Sequence, residues 1–366
     1  MTRRTIDEKE LLATVKAHVD EEVQHLRDQL TDKDKELAEY RKSHGSMRAA
    51  MRQVAGAIEP MKPLPREYRD TKAAKRVSST CAVVSRATDW HHGAVQQADE
   101  IEGFNSFNPA ISERRQLGYM AKVINSTEMH RSYFHLPTLH HICTGDLISG
   151  DIHDELRITN AWPSPVQAVR AGELLARQVA LAAPHYEHVY VEFVCDDNHS
   201  RLVKKPQAKE AGLNTMNFVV GSIAQALLRD TPNVTFTIYP VHEKVVKVLT
   251  RQYLVCHGHG VKGWAGVPWY GTERKVGKES VARLQLIMED LSRAESVGFH
   301  KYIFGHWHSD ISLKLYDGCA SGSGTDAFDH LNGRHEGPGH ASWFVHPKHG
   351  EFDRTNWDLR QFDLAL

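Results

Sequence analysis

The segment CAVVSRATDWHHG, residues 81–93, contains the change of composition that decides the fold. Its first part, CAVVSRA, is strand-like, and the polar run TDWHHG follows without a spacer. A solvated turn needs only one polar residue of almost any kind, whereas a divalent cation is bound by carboxylate and imidazole groups such as Asp89 and His91. Trp90 between them is expected to point into the packing. The remaining sequence must distinguish a turn from a pair of metal ligands.

Four further strand-like segments also end in polar residues. In chain order, the polar residues are Gly145 and Asp146 after TLHHICT, Asn198 and His199 after HVYVEFVCDD, His257 after QYLVC, and His306 and His308 after KYIFG. Taken singly, each residue has an ordinary explanation as a turn former or a surface residue. Ligands of open α/β sheets bind beyond the carboxyl ends of strands, so the five segments together predict one site assembled by the fold.

The residue types of this set are those of a hard or borderline cation site. Aspartate, asparagine and neutral histidine suit Mn, Fe(II) or Zn, and no thiolate is needed. Two such ions about 3.5–4 Å apart can clamp a phosphoryl oxygen and stabilise both the attacking and the leaving oxygen. Asp146 is the natural bridging ligand, because Gly145 before it has no side chain to obstruct a tight turn.

The ordered set D-x-H, G-D, N-H, H, G-H-x-H resembles the calcineurin-like metallophosphoesterases over roughly residues 80–350. The stretch DWHHG…GFNSFNPAISERRQ is similar to the phage-encoded branch of that family. The activity that the resemblance implies is similar to that of the family's DNA-repair-type nucleases. The resemblance implies an α/β fold, a four-layer αββα sandwich of two mixed β-sheets flanked by helices. It also implies two divalent metal ions, with Asp146 bridging them and His199 as general acid or phosphate contact. The other implied ligands are Asp89, His91 and His308 for the first ion, and Asn198, His257 and His306 for the second.

The sequence departs from the family pattern at two places and leaves a choice of histidine at a third. The third motif reads DNHS instead of G-N-H-D or G-N-H-E, and Asp197 is expected to tolerate the left-handed turn that glycine would adopt. Ser149 stands where the family often has an acid or an amide, which leaves the orienting partner of His199 unidentified. In CHGHG, His257 is preferred to His259 because it is the first residue beyond the strand.

The function predicted from this set is a phosphodiesterase or nuclease that hydrolyses DNA or RNA, with a metal-bridging hydroxide as nucleophile. Mn is the first choice of metal, with Fe, Zn or Mg as alternatives. Basic stretches SRLVKKPQAK and GTERKVGK and nearby aromatic residues favour nucleic acid, although a solvated helix start and a packed loop explain them almost as well. The candidate substrate contacts are His92, for which solvent exposure is the more ordinary interpretation, and Lys204, Lys205, Trp264, Trp269 and Tyr270.

Two other functions fit parts of the sequence. A small-molecule phosphoesterase acting on nucleotides, cyclic nucleotides or phosphomonoesters would need a narrow pocket, which insertions at 93–108 and 258–275 could form. The third candidate function is that of an assembly or scaffold component with a vestigial site. The presence of the whole ligand set argues against it. The sequence does not distinguish cleavage at ends from cleavage at interiors.

The chain is predicted to have three parts. Residues 1–58 have apolar residues at a spacing of three or four and charged residues elsewhere, which predicts a helical coiled coil that forms a homo-oligomer. A solvated amphipathic helix packed on its own domain is the alternative. Residues 59–79, rich in proline and charge, are predicted to be a linker, and residues 80–366 the metallophosphoesterase domain.

Secondary-structure signals are clear in the third part. Asn108 is expected to cap a helix that has Pro109 at its first position, and Ser164 and Gln167 to form a capping box. The predicted strands are CAVVSRA, TLHHICT, HVYVEFV, VTFTIYP, QYLVC, KYIFG, ISLKLYD and SWFVH.

Composition bounds the class of protein. The formal net charge of -1 argues neither for nor against a nucleic-acid partner. The five cysteines, far apart in sequence, are expected to be buried small hydrophobes, neither disulfide-bonded nor zinc-binding. The amino-terminal residues lack the apolar core of a signal peptide and the sequence contains no membrane-length apolar run, so a cytoplasmic location is expected.

Overall fold

The computed structural model describes residues 21, 24, 25, 27–29, 31–36, 49–68, 79–263 and 268–363. The chain divides into two compact units, Met1–Ala57 and Ile58–Leu366. In the first unit, residues 31–36 and 49–57 are helical and mostly exposed. Much of the predicted coiled coil lies outside the described residues, so that segment and the homo-oligomer inferred from it stay predictions. No helix among the described residues is long and apolar enough to cross a membrane.

The first sheet of the second unit has six strands in the order β11-β10-β1-β2-β3-β4. Strands β1 to β4 are parallel to one another, and β10 and β11 extend the sheet beyond β1 in antiparallel pairing. Their bounds are β1 Thr80–Ala87, β2 His135–Cys143, β3 His188–Val194, β4 Val234–Tyr239, β10 Gly339–His346 and β11 Gly350–Asp358.

The second sheet has five strands in the order β5-β6-β7-β9-β8. Its central strands β6, β7 and β9 are parallel, and the two edge strands are antiparallel to their neighbours. The bounds are β5 Glu243–Val248, β6 Arg251–Cys256, β7 Lys301–Phe304, β8 Ile311–Ser312 and β9 Tyr316–Gly318. The predicted α/β class with two mixed sheets is confirmed.

Helices connect the strands. They are α1 Pro109–His130, α2 Asp154–Thr159, α3 Ser164–Ala182, α4 Met216–Leu228, α5 Trp269–Glu289, α6 Ala294–Val297 and α7 Ala327–Leu331. The Asn108 cap is confirmed, because its side chain accepts a hydrogen bond from Ile111 N. The predicted capping box of α3 is wrong. Gln167 instead accepts a hydrogen bond from Gly150 N at 2.9 Å and donates one to Trp162 O at 2.7 Å, so this buried amide stabilises a loop and caps no helix.

Three clusters of buried apolar side chains hold the second unit together. The first joins one face of the six-stranded sheet to α1, α3 and α4, and it includes Trp90, which is fully buried as expected. The second contains residues of both sheets, such as Val84 of β1 and Val255 of β6. The third joins the five-stranded sheet to α5 through Val276 and its neighbours. This succession of helices, sheet, sheet and helix is the one that the sandwich requires.

Each of the eight predicted strands overlaps a strand of the structure, and the differences involve the edges of the two sheets. ISLKLYD forms two short strands, β8 and β9, joined by a turn. The strands β5 and β11 were not predicted from the sequence, because both are edge strands with charged residues in place of a buried apolar run. All five cysteines are buried and free, as expected.

Part of the predicted linker belongs to the second unit and is hydrogen-bonded within it. Met61 N donates to Leu227 O at 2.8 Å, and the backbone N–H groups of Glu67 and Tyr68 both donate to Pro184 O. Met61 therefore contacts the carboxyl end of α4, and Glu67 and Tyr68 contact the turn that follows α3. The rest of the predicted linker, residues 69–78, lies outside the described residues.

Candidate metal centre

The residues that follow the three parallel strands β1, β2 and β3 lie at one edge of the first sheet. The strands end in register, with Ala87 opposite Cys143. Strand-like pairing continues past that point, because Asp89 N donates to Gly145 O and His91 N donates to Asp146 O, both at 3.0 Å. The loop after β1 and the loop after β2 are therefore held side by side.

The second sheet contributes its loops in the same way. Gly305 N, after β7, donates to the carbonyl of His257, after β6, at 2.8 Å. A hydrogen bond then joins the two sheets, because His306 N donates to Asp89 Oδ1 at 2.9 Å. The residues that follow five strands of two sheets thus meet at one place.

Backbone strain is concentrated at this meeting point. Of the nine described non-glycine residues with positive φ, five belong to the predicted ligand set: Asp89, His91, Asp146, His306 and His308, with φ between 46° and 67°. The left-handed conformation costs an L-residue roughly 1–2 kcal/mol. Strained residues cluster at functional sites, where the surrounding structure holds them in place for a purpose other than stability.

The first group of donor atoms comes from Asp89, His91 and His308. The Nε2 atoms of the two imidazoles face each other at 3.1 Å, and His308 Nε2 lies 3.6 Å from Asp89 Oδ1. These atoms all lie within 4.8 Å of one another. Converging imidazole nitrogens beside a carboxylate are the arrangement expected of ligands that share one cation.

The second group is formed by Asp146, His257 and His306, with Asn198 beside it. His257 Nε2 lies 2.9 Å from Asp146 Oδ2 and 2.9 Å from Asn198 Oδ1. Asp146 is also grouped with His91 and His199, so its carboxylate stands between the two sets of donors. This is the position that a bridging ligand occupies.

Hydrogen bonds on the far side of each ring orient these histidines. His308 Nδ1 lies 2.6 Å from Asp329 Oδ2, and His257 Nδ1 lies 2.8 Å from the carbonyl of Thr144. His199 Nδ1 lies 2.7 Å from the carbonyl of Ser149. An acceptor at Nδ1 favours the tautomer that leaves Nε2 free for a ligand or a proton. The partner of His199 that the sequence did not reveal is therefore a backbone carbonyl.

Asp197, the departure from the family's third motif, has a structural role here. It accepts hydrogen bonds from Asp146 N at 2.9 Å and from Ser200 N at 2.8 Å. It is not among the described residues with positive φ, so the expected left-handed turn at this position is wrong. The first of these hydrogen bonds joins the loop after β2 to the loop after β3. The pKa of Asp197 is raised to about 7 by burial and by the neighbouring charge of Asp146.

Burial and neighbouring charges divide the histidines into two kinds. Burial lowers the pKa values of His91 and His306 well below the usual range, which keeps both rings neutral and able to bind a cation. For His257, burial is outweighed by the Asp146 carboxylate, which raises the pKa to about 10. For His308, burial is outweighed by Asp329, which raises the pKa to about 9.

The pKa values of the two carboxylates, Asp146 and Asp89, are shifted in opposite directions. Although burial opposes ionisation, the imidazoles of His257 and His199 hold the pKa of Asp146 well below its usual range. Burial raises the pKa of Asp89, against the opposing effect of His257 and His308. Asp146 is therefore the carboxylate whose negative charge is best supported in the cluster.

The candidate substrate contacts lie in different environments. His92 is buried, and its Nδ1 lies 3.0 Å from Ser112 Oγ, so the expectation of solvent exposure is wrong. Lys204 and Lys205 are exposed on the stretch that follows His199. Trp269 and Tyr270 open helix α5 with exposed side chains, and Trp264 lies outside the described residues.

Comparison with known proteins gives limited similarity. No protein-family model and no curated protein matches the chain. Among solved structures, Vps29 of Entamoeba histolytica complexed with Zn²⁺ has 10% sequence identity and a TM-score of 0.25, covering 76% of this chain and 99% of that chain. A single mutant of Vps29 from the same organism gives 10% identity and a TM-score of 0.26, covering 75% and 99%.

Proposed function

We propose that this protein is a metal-dependent phosphoesterase of the calcineurin-like type. The observation that carries the proposal is the convergence of carboxylate and imidazole donor atoms from five strand ends, several of them on strained backbone. Residues on strained backbone cluster at functional sites, and five of the nine described residues of this kind belong to this donor set.

The donor set fits two divalent cations. Asp89, His91 and His308 would hold the first, and Asp146 would bridge to the second, whose further ligands would be Asn198, His257 and His306. Oxygen and imidazole donors without thiolate suit Mn, Fe or Zn, and Mn is proposed first, with Mg as a further alternative. Bound there, such ions supply Lewis acidity to phosphoryl oxygens and lower the pKa of a water nucleophile.

His199 is proposed to handle the proton of the leaving group. Its Nδ1 is held by the Ser149 carbonyl, which turns Nε2 to within 4.0 Å of Asp146 Oδ2, at the edge of the donor cluster. The side chain is 21% exposed, so a substrate oxygen can reach Nε2. A proton held on Nε2 can pass to a departing alkoxide or stabilise a phosphate oxygen by hydrogen bonding.

The substrate is proposed to be a phosphodiester of nucleic acid. The exposed Lys204 is linked to His199 through two neighbouring residues. Its Nζ is 3.4 Å from the carboxylate of Asp154, and the ring of His153, the residue before Asp154, is 5.8 Å from the His199 ring. Lys205 follows on the same exposed stretch. Cations beside the reacting group favour a polyanion, whose phosphates they contact without reading sequence.

The enzymatic proposal is tested with bis(p-nitrophenyl) phosphate and p-nitrophenyl phosphate. Protein stripped with a chelator is reloaded with Mn²⁺, and the native chain is compared with Asp146→Asn and His199→Ala. We expect hydrolysis that depends on metal and is reduced by at least about 100-fold in each variant. The matched control is His349→Ala at an exposed histidine, which should retain activity. Native protein that binds metal without hydrolysing either ester would refute the proposal.

The nucleic-acid substrate is tested separately. Labelled single- and double-stranded DNA, RNA, nucleotides and cyclic nucleotides are compared with the native chain and with the double variant Lys204→Ala, Lys205→Ala. Loss of nucleic-acid cleavage in that variant, with p-nitrophenyl ester hydrolysis intact, would support the nuclease. Turnover of nucleotides without cleavage of long DNA or RNA would identify a small-molecule phosphoesterase instead.

A further inference from the structure

A second cluster of metal-ligating side chains lies outside the seven proposed ligands. It consists of Asp196, which follows β3, His242, which precedes β5, and His259, which follows β6. One donor atom from each residue lies within 4.8 Å of the others. The three residues come from separate loops of both sheets, so the fold and not local sequence brings them together.

Both imidazoles of the cluster are directed at one oxygen. His242 Nδ1 lies 2.6 Å from Asp196 Oδ2, and His259 Nε2 lies 3.7 Å from the same atom. The Asp196 residue is 5% exposed. Within the part of the chain that the structure describes, its ion pairs are with these two histidines and with no lysine or arginine.

An ordinary aspartate–histidine pair accounts for only half of this geometry. The His242 contact is a hydrogen bond, whereas 3.7 Å to His259 is too long for one. Two ligands that each lie about 2.0–2.2 Å from a shared cation are separated by roughly 3–4 Å, which matches the second contact. His259 Nδ1 is buried and has no hydrogen-bond partner among the described residues, so no hydrogen bond at that nitrogen competes with a ligand at Nε2 for the orientation of the ring.

We propose that Asp196, His242 and His259 form an additional binding site for a divalent transition-metal ion. Two imidazoles and one carboxylate are a common ligand set for Zn²⁺ and Fe²⁺, with open coordination positions for water. Asp196 and His259 also line a small pocket together with Arg201, Gln207 and Asn214.

The site is close to the proposed two-metal centre but uses different ligands. The His259 ring centroid lies 5.7 Å from that of His257 and 6.4 Å from that of His306. The sequence HGH after β6 thus supplies its first histidine to one cluster and its second to the other. The inference does not depend on phosphoester hydrolysis, because it concerns ion binding by three residues outside that centre.

The test counts bound Zn²⁺ in the full chain. Protein stripped with a chelator is titrated with Zn²⁺ by calorimetry, and bound metal is measured by mass spectrometry after gel filtration. We expect three ions per native chain and two in His242→Ala, a change at a partly exposed side chain that should not disturb folding. The matched control is His188→Ala, whose ring contacts Thr235 away from both clusters and should leave three ions.

The outcomes separate this inference from the proposed function. Two ions in the native chain, unchanged in His242→Ala, would overturn the additional site and leave the two-metal centre standing. One ion in the native chain that is lost in His242→Ala would support the additional site and refute the two-metal centre. Asp196→Asn provides a second variant with nearly unchanged volume, and it should also lose one ion.

Discussion

Asp329 Oδ2 lies 2.6 Å from His308 Nδ1, on the side of the imidazole that faces away from the donor cluster. The carboxylate is almost fully buried and is also paired with Arg334 at 3.0 Å. A carboxylate on the far nitrogen fixes the tautomer of a metal-binding histidine and raises its basicity. Asp329 therefore orients His308 without belonging to the predicted ligand set.

Replacing Asp329 by alanine should weaken metal binding by about 10- to 100-fold, because His308 loses its orienting acceptor. Competition with a chelating dye would measure the affinity. The control is Asp353→Ala, which removes the partner of the partly exposed His130 and should leave metal affinity unchanged. Unaltered affinity in folded Asp329→Ala would contradict the proposed role.

Replacing Gly145 by alanine should damage both folding and the metal centre. The backbone at Gly145 has φ of +102°, and a Cβ there would lie 2.8 Å from Asp197 Cβ and 3.0 Å from His257 Nδ1. We expect the free energy of unfolding to fall by about 1–3 kcal/mol in urea titrations of metal-free protein, together with weaker metal binding.

Gly277 provides the matched control for this substitution. It lies in α5 with no atom within 4 Å of the position of an added Cβ. Gly277→Ala should raise the free energy of unfolding by about 0.4–1 kcal/mol, because alanine restricts the unfolded chain. Equal stability of the two variants would mean that the turn at Gly145 accepts a side chain.

Metal binding should release protons and become tighter as pH rises. In the metal-free protein His257 and His308 have pKa values of about 10 and about 9, so both are protonated at pH 8. A cation binds only the neutral rings, which makes deprotonation part of binding. Calorimetry in two buffers of different ionisation enthalpy at pH 8 should show release approaching two protons per chain.

The pH range of this dependence is higher than that of an ordinary surface histidine site, although affinity rises with pH in both. The proton competition weakens as pH rises through about 9 and about 10, so affinity should still increase between pH 8 and pH 10. A site of unperturbed histidines would reach its full affinity near pH 7.5. His257→Ala should release about one proton fewer than the native chain. An affinity that is constant above pH 8 would show that the carboxylates do not hold these protons.

The buried ion pair of Arg86 and Asp317 should be essential for stability. Arg86 is fully buried and donates to Asp317 Oδ1 at 3.1 Å and to Phe304 O at 2.6 Å, immediately before the loop that carries His306. Arg354 donates to Asp317 Oδ2 at 2.7 Å. Asp317→Ala would leave buried guanidinium charge uncompensated, which typically costs about 3–5 kcal/mol.

Urea unfolding monitored by tryptophan fluorescence would test this effect. Glu295→Ala, which breaks the exposed pair with Lys247, is the matched control and should change stability little. A small loss in Asp317→Ala would indicate that Asp310, which also pairs with Arg354, compensates for the missing carboxylate.

The central strands could be predicted from sequence, and the edge strands could not. HVYVEFV matches β3 residue for residue, because strands inside a parallel sheet consist of nearly continuous apolar residues. EKVVKV and GEFDRTNWD became β5 and β11 only through pairing with β6 and β10. An edge strand needs one partner and tolerates charge, so its sequence carries little signal.

The candidate site shows a similar division. The structure brings together Asp89, His91, Asp146, His257 and His308, which the sequence had marked by their positions after strands. It also shows hydrogen-bond acceptors that orient the histidines and that no pattern in the sequence had indicated. Thr144 and Ser149 act through backbone carbonyls, which every residue has, and Asp329 belongs to a short helix 21 residues after His308.

The sequence by itself determined the chemistry available to this protein: carboxylates, an amide and imidazoles placed directly after strand-forming segments, with no thiolate among them. The types of donor atom can be read from the sequence, because the preference of a cation for certain donor atoms does not depend on the fold. Only the tertiary structure decided that His257 faces Asp146 while His259, two residues later, faces Asp196. The physical reason is geometric, since donor atoms share a cation only when strands of different sheets bring them within a few ångströms, and no local spacing encodes that distance.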